Sequence, residues 1–363
     1  MRKRVRIKDV AERAEVSVGT VDRVIHNRGR VAPNVKENVL AVMKELGYQP
    51  NLIASALAKN KSYIIAVLLP DYKEDPYWEQ PFAGVEKARK QVEYYGITVD
   101  YHFFELLNPK NFQEKAKELL ATKPDGVLFP PLFLKEGQWL LKECDKNQIP
   151  CVSINTNIPG AKNLSYIGQD SYQSGVLAAR LMNFGVTPNG TAIIVDFSKG
   201  APNAKHLVEK KEGFNDYFKA NPQNKIQVLT IVMEDFNNKK KLRTFMDDLI
   251  IKHPNLAGIF FTNSRAYKAI ECMDDDVIQK IKIIGFDLIE SNLKYLAEDK
   301  INFLINQNPI EQGFLGLQSL YRHLILGETI DPVQFLPLDI VVKENVEYYH
   351  KRGYSTSTPV YQQ

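Results

Sequence analysis

The stretch VSVGTVDRVIHNRGRVAPNV, residues 16–35, decides how this chain is read. Val18, Val21, Val24 and Ile25 recur at the spacing of one buried helix face. Ser17 stands just before that run, where its oxygen can accept from a free backbone N–H of the first turn. Upstream, Ile7, Val10, Ala11 and Ala14 repeat the spacing, with Lys8, Asp9, Glu12 and Arg13 between them. Downstream, Pro33 suits the first turn of a third helix. Val35, Val39, Val42, Met43 and Leu46 supply its apolar stripe, and Gly47 ends it. Two short helices joined by a tight turn, the second richly basic, predict a helix-turn-helix closed by a third helix. On spacing alone, a small helical bundle with a solvated basic face stays open beside it.

Charge separates this head from the rest. Residues 1–62 hold 13 Lys+Arg and 6 Asp+Glu, a net of +7, and the remaining residues hold 34 and 37, a net of −3. A basic head on a faintly acidic body points to a polyanion as the head's partner. At 363 residues the chain suits two or three domains. Cys144, Cys151 and Cys272 are too few and too scattered for a disulfide framework or a zinc site, and read as small buried side chains in a reducing cytoplasm. The opening MRKRVRIKDVAERA has basic residues with no apolar stretch after them, so a signal peptide is not expected. No apolar run is long enough to span a bilayer. The expectation is a soluble, cytoplasmic protein.

Residues 6–58 turn the local pattern into a resemblance. IKDVAERA, VSVGTVDRVI, ELGYQPN and ASAL come in the order and spacing of the headpiece of the LacI/GalR (lactose-repressor) family of bacterial transcription regulators. The resemblance implies that the stretch 16–35 supplies the recognition helix and the loop after it, lying in the major groove of operator DNA and presenting Val18, Gly19 and Arg23 to base edges. Arg23 is suited to a bidentate bond to guanine, and Val18 to a thymine methyl. Ser17, Thr20, His26, Asn27 and Arg30 are assigned to phosphates, which hold register. For His26 an ordinary surface histidine is the alternative. Three positions depart from the family pattern: Glu15 replaces a turn glycine, Asp22 brings a negative charge near the phosphates, and Ala32 replaces a hydroxyl cap before Pro33.

YQPNLIASALAKNKS, residues 48–62, joins head to body. Asn51 is placed to cap a helix of one or two turns, too short to stand alone. In the family such a hinge helix folds on DNA and wedges a leucine into the minor groove, which assigns Leu57 here. A linker leucine packed on the body is the alternative.

From SYIIAVLLPD onward, apolar runs alternate with amphipathic segments such as FAGVEKARKQVEYYG and NFQEKAKELLATKP. The strand-like runs are 64–69, 98–103, 126–129, 150–154, 192–195, 226–232, 258–261, 281–284 and 302–305. Such alternation builds parallel sheets with helices on both faces, and the number of strands fits two sheets. The fold class expected is therefore α/β: a three-helix headpiece and hinge helix, then a two-lobed doubly wound α/β domain. The boundaries are 1–50 for the headpiece, 51–62 for the hinge and linker, 63–345 for the effector-binding and dimerisation domain, and 346–363 for a C-terminal tail. With neither a GxGxxG loop nor a Walker-type lysine motif, no nucleotide cofactor and no metal is expected.

The body resembles periplasmic sugar-binding proteins of the ribose-binding type, through DPYWEQPFAGVEKARKQ, SYIGQDSYQSGVLAARLM, KKEGFNDYF, IFFTNSRAYKAI, IIGFD and INQNPIEQGFLGLQSLY. The resemblance implies two lobes joined by three crossovers, closing on a small ligand. Sugars ask for planar polar side chains and an aromatic plate. Tyr77 and Trp78 lie just after the first strand, and Asp170, Asn263, Asp287 and Gln307 match positions of polar ligand contacts. Lys210 stands where an arginine is common, which keeps an acidic or phosphorylated sugar open. Singly, Asp287 and Asn263 also read as helix caps and Trp78 as core.

The function implied is a ligand-controlled transcription regulator, most simply a repressor. It acts as a homodimer on operator DNA in the bacterial cytoplasm, associated with the nucleoid and not with a membrane. Two alternatives come from other classes: a two-lobed enzyme with Asp170 and Asp287 as facing acid and base, and a sugar-binding protein without regulation.

Overall fold

The computed structural model describes residues 5–25, 29–48, 62–186, 188–197 and 205–349. His26, Asn27 and Leu57 lie outside the described residues, as does the hinge from 51 to 61. The chain divides into two compact units, Met1–Lys61 and Ser62–Gln363.

In the first unit, α1 (Ile7–Arg13), α2 (Val18–Ile25) and α3 (Pro33–Glu45) bury the expected apolar positions. Val10, Ala11, Ala14, Val21, Val24, Val39 and Val42 form one small core. The turn after α1 shows how Glu15 replaces a glycine. Its φ of 55° is left-handed, and the N–H of Val16 reaches back to the carbonyl of Ala11 at 3.0 Å. A non-glycine residue there costs roughly 1 kcal/mol, which the closed helix end offsets. Gly47, at φ 63°, ends α3 in the same manner, with Tyr48 N–H on the Met43 carbonyl at 2.9 Å. Ala32 precedes α3 and makes no side-chain cap.

The second unit holds two six-stranded sheets. The first has the order β11-β5-β4-β3-β1-β2, from β1 (Tyr63–Pro70), β2 (Ile97–Phe104), β3 (Gly126–Phe129), β4 (Cys151–Ile154), β5 (Ser165–Gly168) and β11 (Val333–Phe335). The second has the order β12-β10-β9-β8-β6-β7, from β6 (Thr191–Asp196), β7 (Gln227–Val232), β8 (Leu256–Phe261), β9 (Lys282–Phe286), β10 (Phe303–Asn306) and β12 (Asp339–Val341). All neighbours are parallel except β10 and β12. Residues 65–69 of β1 are buried throughout, as a parallel strand covered on both faces requires.

Helices α4 (Glu79–Val92), α5 (Pro109–Ala121), α6 (Leu134–Lys146), α7 (Ser171–Gly185), α8 (Lys205–Ala220), α9 (Lys239–Lys252), α10 (Glu290–Ala297) and α11 (Pro309–Leu324) cover the sheets. Two pairs pack backbone to backbone through reciprocal glycines. A Cβ on Gly84 of α4 would lie 1.9 Å from the Ile310 oxygen, and one on Gly313 of α11 would lie 2.0 Å from the Pro81 oxygen. Gly175 of α7 and Gly213 of α8 repeat this against the carbonyls of Lys210 and Tyr172, each at 2.0 Å.

The chain crosses between the sheets three times: after β5, after β10 and between β11 and β12. The crossings are hydrogen-bonded to one another. Asn308 Nδ2 donates to the Pro337 carbonyl at 2.8 Å and to Asp339 at 3.1 Å, while Gln169 Nε2 donates to Gln307 Oε1. The short helix Val346–Tyr349 lies past the expected body boundary at 345, and Val346 is buried. None of the described helices is long and apolar enough to cross a membrane.

Candidate functional site

The face of α2 opposite its buried valines is open to solvent. Ser17, Val18, Gly19 and Arg23 are exposed there, as is Arg30 beyond the helix, and Thr20 is half-buried. Ser17 caps the helix, its Oγ accepting from Thr20 N–H at 3.1 Å. A Cβ on Gly19 would meet only Ser17 Oγ, at 3.8 Å, so another backbone can approach closely. Arg23 folds back, its Nε donating to the Gly19 carbonyl at 3.1 Å.

In the body, the carboxyl ends of the strands face a cleft between the two sheets, where ligands of open α/β sheets bind. The cleft encloses about 730 Å³, part of it open to solvent. Six of the seven expected residues line it: Tyr77, Trp78, Lys210, Asn263, Asp287 and Gln307. Asp170 does not. Its carboxylate caps α7, accepting from Gln173 N–H at 2.9 Å. The facing acid–base pair Asp170–Asp287 of the enzyme alternative therefore does not converge in the cleft.

Each lining residue is fixed by local chemistry. Asp75 accepts from Tyr77 N–H at 3.1 Å, so the turn Pro76–Trp78 presents both aromatic rings, packed edge to face at 4.9 Å. Asn263 Nδ2 donates to the Phe197 carbonyl at 3.2 Å and its Oδ1 accepts from Arg265 N–H at 3.1 Å. Asp287 caps nothing, since Ile289 is the N-cap of α10. It sits instead in the left-handed region at φ 67°, with both carboxylate oxygens 2.9 Å from Gln307 Nε2.

Lys210 is 1% exposed. Its Nζ donates to the Thr262 carbonyl at 3.1 Å and lies 3.4 Å from the centre of the Phe286 ring. Burial pushes the Lys210 ammonium down, with Asp287 partly restoring it, and pushes the Asp287 carboxyl up, with Lys210 partly opposing.

Several contacts in and around the cleft join residues to which the sequence reading assigns no role, although Asp75, Gln80 and Arg265 lie inside the matching motifs. Asp75 and Arg265 form a salt bridge from one lobe to the other. Thr156 Oγ1 lies 2.8 Å from His206 Nδ1, also across the cleft, and Gln80 Nε2 donates to the Leu288 carbonyl at 3.0 Å. Asn155, at φ 65°, donates to the Tyr77 hydroxyl at 2.8 Å. The left-handed backbone of Asn155 and Asp287 suits their short polar side chains.

Burial and the nearby Lys210 push His206 down to about 3. The folded protein thus keeps His206 neutral while the unfolded chain takes up a proton below 6.5. Its contribution is complete above that pH and is lost as pH falls toward the folded value. At about 1.4 kcal/mol per unit, wild type should lose about 2 kcal/mol relative to His206→Gln between pH 7 and pH 5. The raised Asp287 carboxyl acts in the opposite sense, its penalty growing as pH rises, so the comparison of the two proteins isolates His206. Urea midpoints at both pH values check this; parallel pH profiles would refute it.

A helix-turn-helix unit beside a two-sheet, three-crossing ligand-cleft domain defines a ligand-responsive DNA-binding protein. Residues 6–51 match the family described as bacterial regulatory proteins, lacI family, and residues 65–329 match a periplasmic binding protein domain. The chain joins a lacI-family DNA-binding domain to a periplasmic binding protein domain and is a DNA-binding transcription regulator. It is 27% identical to the ribose operon repressor of Halalkalibacterium halodurans over 94% of this chain and 97% of that protein. It is 25% identical to the HTH-type transcriptional regulator MalR of Streptococcus pneumoniae, over 88% of this chain and 92% of that one. Among solved structures, a putative LacI transcriptional regulator from Bacteroides fragilis superposes with a TM-score of 0.71 at 28% identity, covering 80% of this chain and all of the other. A solute-binding protein from Agrobacterium vitis bound with alpha-D-tagatopyranose has the same fold: TM-score 0.71, 22% identity, 82% of this chain and all of that one.

Proposed function

We propose that the protein is a homodimeric repressor released from its operator by an uncharged sugar held between the lobes. One observation carries the choice of an uncharged effector. The cleft holds two carboxylates, Asp75 and Asp287, and two cations, Arg265 and Lys210. Arg265 is bound to Asp75, and Lys210 feels Asp287 while held by Thr262. The charges balance within the protein, so a sugar acid or sugar phosphate would have to break a buried pair. Hydroxyl groups can instead use Asn155, Asn263, Gln307 and the carboxylates, with Trp78 and Phe197 against the ring face.

The effector set is Tyr77, Trp78, Lys210, Asn263, Asp287 and Gln307, joined by Asp75, Asn155 and Arg265. The ribose operon repressor among the relatives and the tagatose-bound neighbour support a sugar of five or six carbons. Homodimerisation is supported by the edge strand β2, where half-buried Tyr101 and Phe103 cluster with Tyr72 and Phe82. Leu57 serves as the minor-groove wedge and residues 51–62 as the hinge. The protein works in the cytoplasm, on the nucleoid.

Thermal denaturation with D-ribose, D-allose, D-tagatose and their phosphates tests the effector class. A ligand bound only by the folded state raises the melting temperature. A neutral sugar should do so, and stabilisation by a phosphate alone would overturn the charge argument. For the headpiece, Arg23→Ala should cost about 1–3 kcal/mol of operator binding and relax preference at one base pair per half-site. Selection from a randomised operator pool checks this, and an unaltered preference would remove Arg23 from base reading.

A further inference from the structure

The hydrogen bonds of the cleft do not stop at its walls. In the first lobe, Asn155 donates to the Tyr77 hydroxyl at 2.8 Å. The Asn155 carbonyl lies 3.2 Å from the hydroxyl of Tyr166, which also lies 2.8 Å from the carbonyl of Gln169. In the second lobe, Gln307 Nε2 binds both oxygens of Asp287, and Gln307 Oε1 accepts from the Gln169 side chain. The two chains of contacts meet at one residue on the first crossing. Gln169 takes the lobe-one chain through its backbone and the lobe-two chain through its side chain. Yet Gln169 is not among the residues that line the cleft.

Two features make this meeting point responsive. The Tyr166 hydroxyl has one proton for two carbonyls, so it can favour the cleft side or the crossing side but cannot fully serve both. Gln169 Oε1 and the nearby Gln312 Oε1 are buried with no hydrogen-bond partner among the described residues, although Gln312 Nε2 holds the Gln307 carbonyl at 2.8 Å. Leaving such acceptors dry is unfavourable, because a buried polar atom without a partner has lost its hydration with nothing in return. A lobe arrangement that admits water to the crossings removes that cost, so the closed form is balanced against an open one.

We infer that Gln169 is a positioning residue that joins the polar contacts of the two cleft walls at the crossing and thereby couples occupancy of the cleft to lobe closure. It touches no effector atom. It acts through Gln307 on Asp287 and through Tyr166 on Asn155. The inference rests on the reading that the effector binds in the cleft.

The test measures lobe separation in the full-length protein, with spin labels on cysteines at exposed Lys117 of α5 and exposed Lys240 of α9. The native cysteines are buried. Without sugar, Gln169→Met should broaden the distance distribution and shift it toward the open form relative to wild type. Tyr166→Phe, which keeps the ring and removes only the hydroxyl, should move it in the same direction to a smaller extent. With D-ribose, D-allose or D-tagatose, closure of Gln169→Met should need roughly tenfold more sugar than wild type. A merely structural glutamine would lower the melting temperature without moving either distribution. Wild-type-like distributions in both variants would overturn the assignment. Should wild type respond to none of the three sugars, the effector reading fails while the sugar-free comparison still decides Gln169.

Discussion

Gly175→Ala is expected to destabilise the body by about 3 kcal/mol, near the upper end for an overpacked core site. The added Cβ would stand 2.0 Å from the Lys210 oxygen, 2.8 Å from its carbonyl carbon and 3.0 Å from its Cα. All three are backbone atoms, so no rotamer change relieves the clash and α7 must separate from α8. The separation also moves Lys210 off the Thr262 carbonyl and the Phe286 ring. Sugar binding should therefore fall together with stability. Gly19→Ala is the contrasting substitution, since its Cβ meets nothing closer than 3.8 Å. It should leave the headpiece equally stable or up to about 1 kcal/mol more stable through helix propensity. Urea unfolding of both variants gives the comparison; a Gly175→Ala protein with the wild-type midpoint would show that the helix pair is looser than described.

Asp287→Ala is expected to abolish stabilisation by sugar and to cost about 3 kcal/mol without it. Three losses combine. Gln307 Nε2 loses both acceptors, Lys210 loses the carboxylate that offsets its burial, and alanine must adopt φ 67°. Because burial already pushes Lys210 down, the ammonium can shed its proton, which keeps the cost from rising further. Asp287→Gly separates the terms: it restores the backbone conformation and should recover about 1 kcal/mol, yet bind no sugar. A thermal shift with sugar retained in both variants would place the effector elsewhere.

Nine strand-like runs read from the sequence correspond to β1–β4 and β6–β10: most are largely apolar stretches that stand out from their flanks, and 98–103 alternates Val99, Tyr101 and Phe103 with polar residues. The three unread strands lack that signal. β5 is four residues, SYIG, mixing polar and apolar types, and β11 and β12 are three residues each at the sheet ends. Their pairing comes from the crossings, which periodicity does not register. The headpiece was legible because its residues bury one face over short contiguous helices. The cleft was legible in part. Asp287, Gln307, Asn263 and Lys210 sit in matching motifs at strand ends or on a helix. Arg265, Asp75, His206 and Asn155 take part through contacts between segments distant in sequence. Asp170 also stands in a matching motif, but there the capping role of an aspartate before a helix prevails.

Neither lobe is one continuous segment. The first sheet takes β1–β5 from one stretch and β11 from another, with α11 packed against α4 through Gly84 and Gly313. During synthesis the first lobe must therefore wait, with α4 and one side of β5 uncovered, while the strands of the second lobe are made. About 140 residues separate β5 from α11, roughly 7–30 s of translation at 5–20 residues per second. Over that interval the nascent chain exposes an unpaired sheet edge and a glycine-notched helix surface. The late residues of the gene thus seal its early product, and a ribosome stalled near codon 300 would carry two incomplete cores instead of one finished lobe.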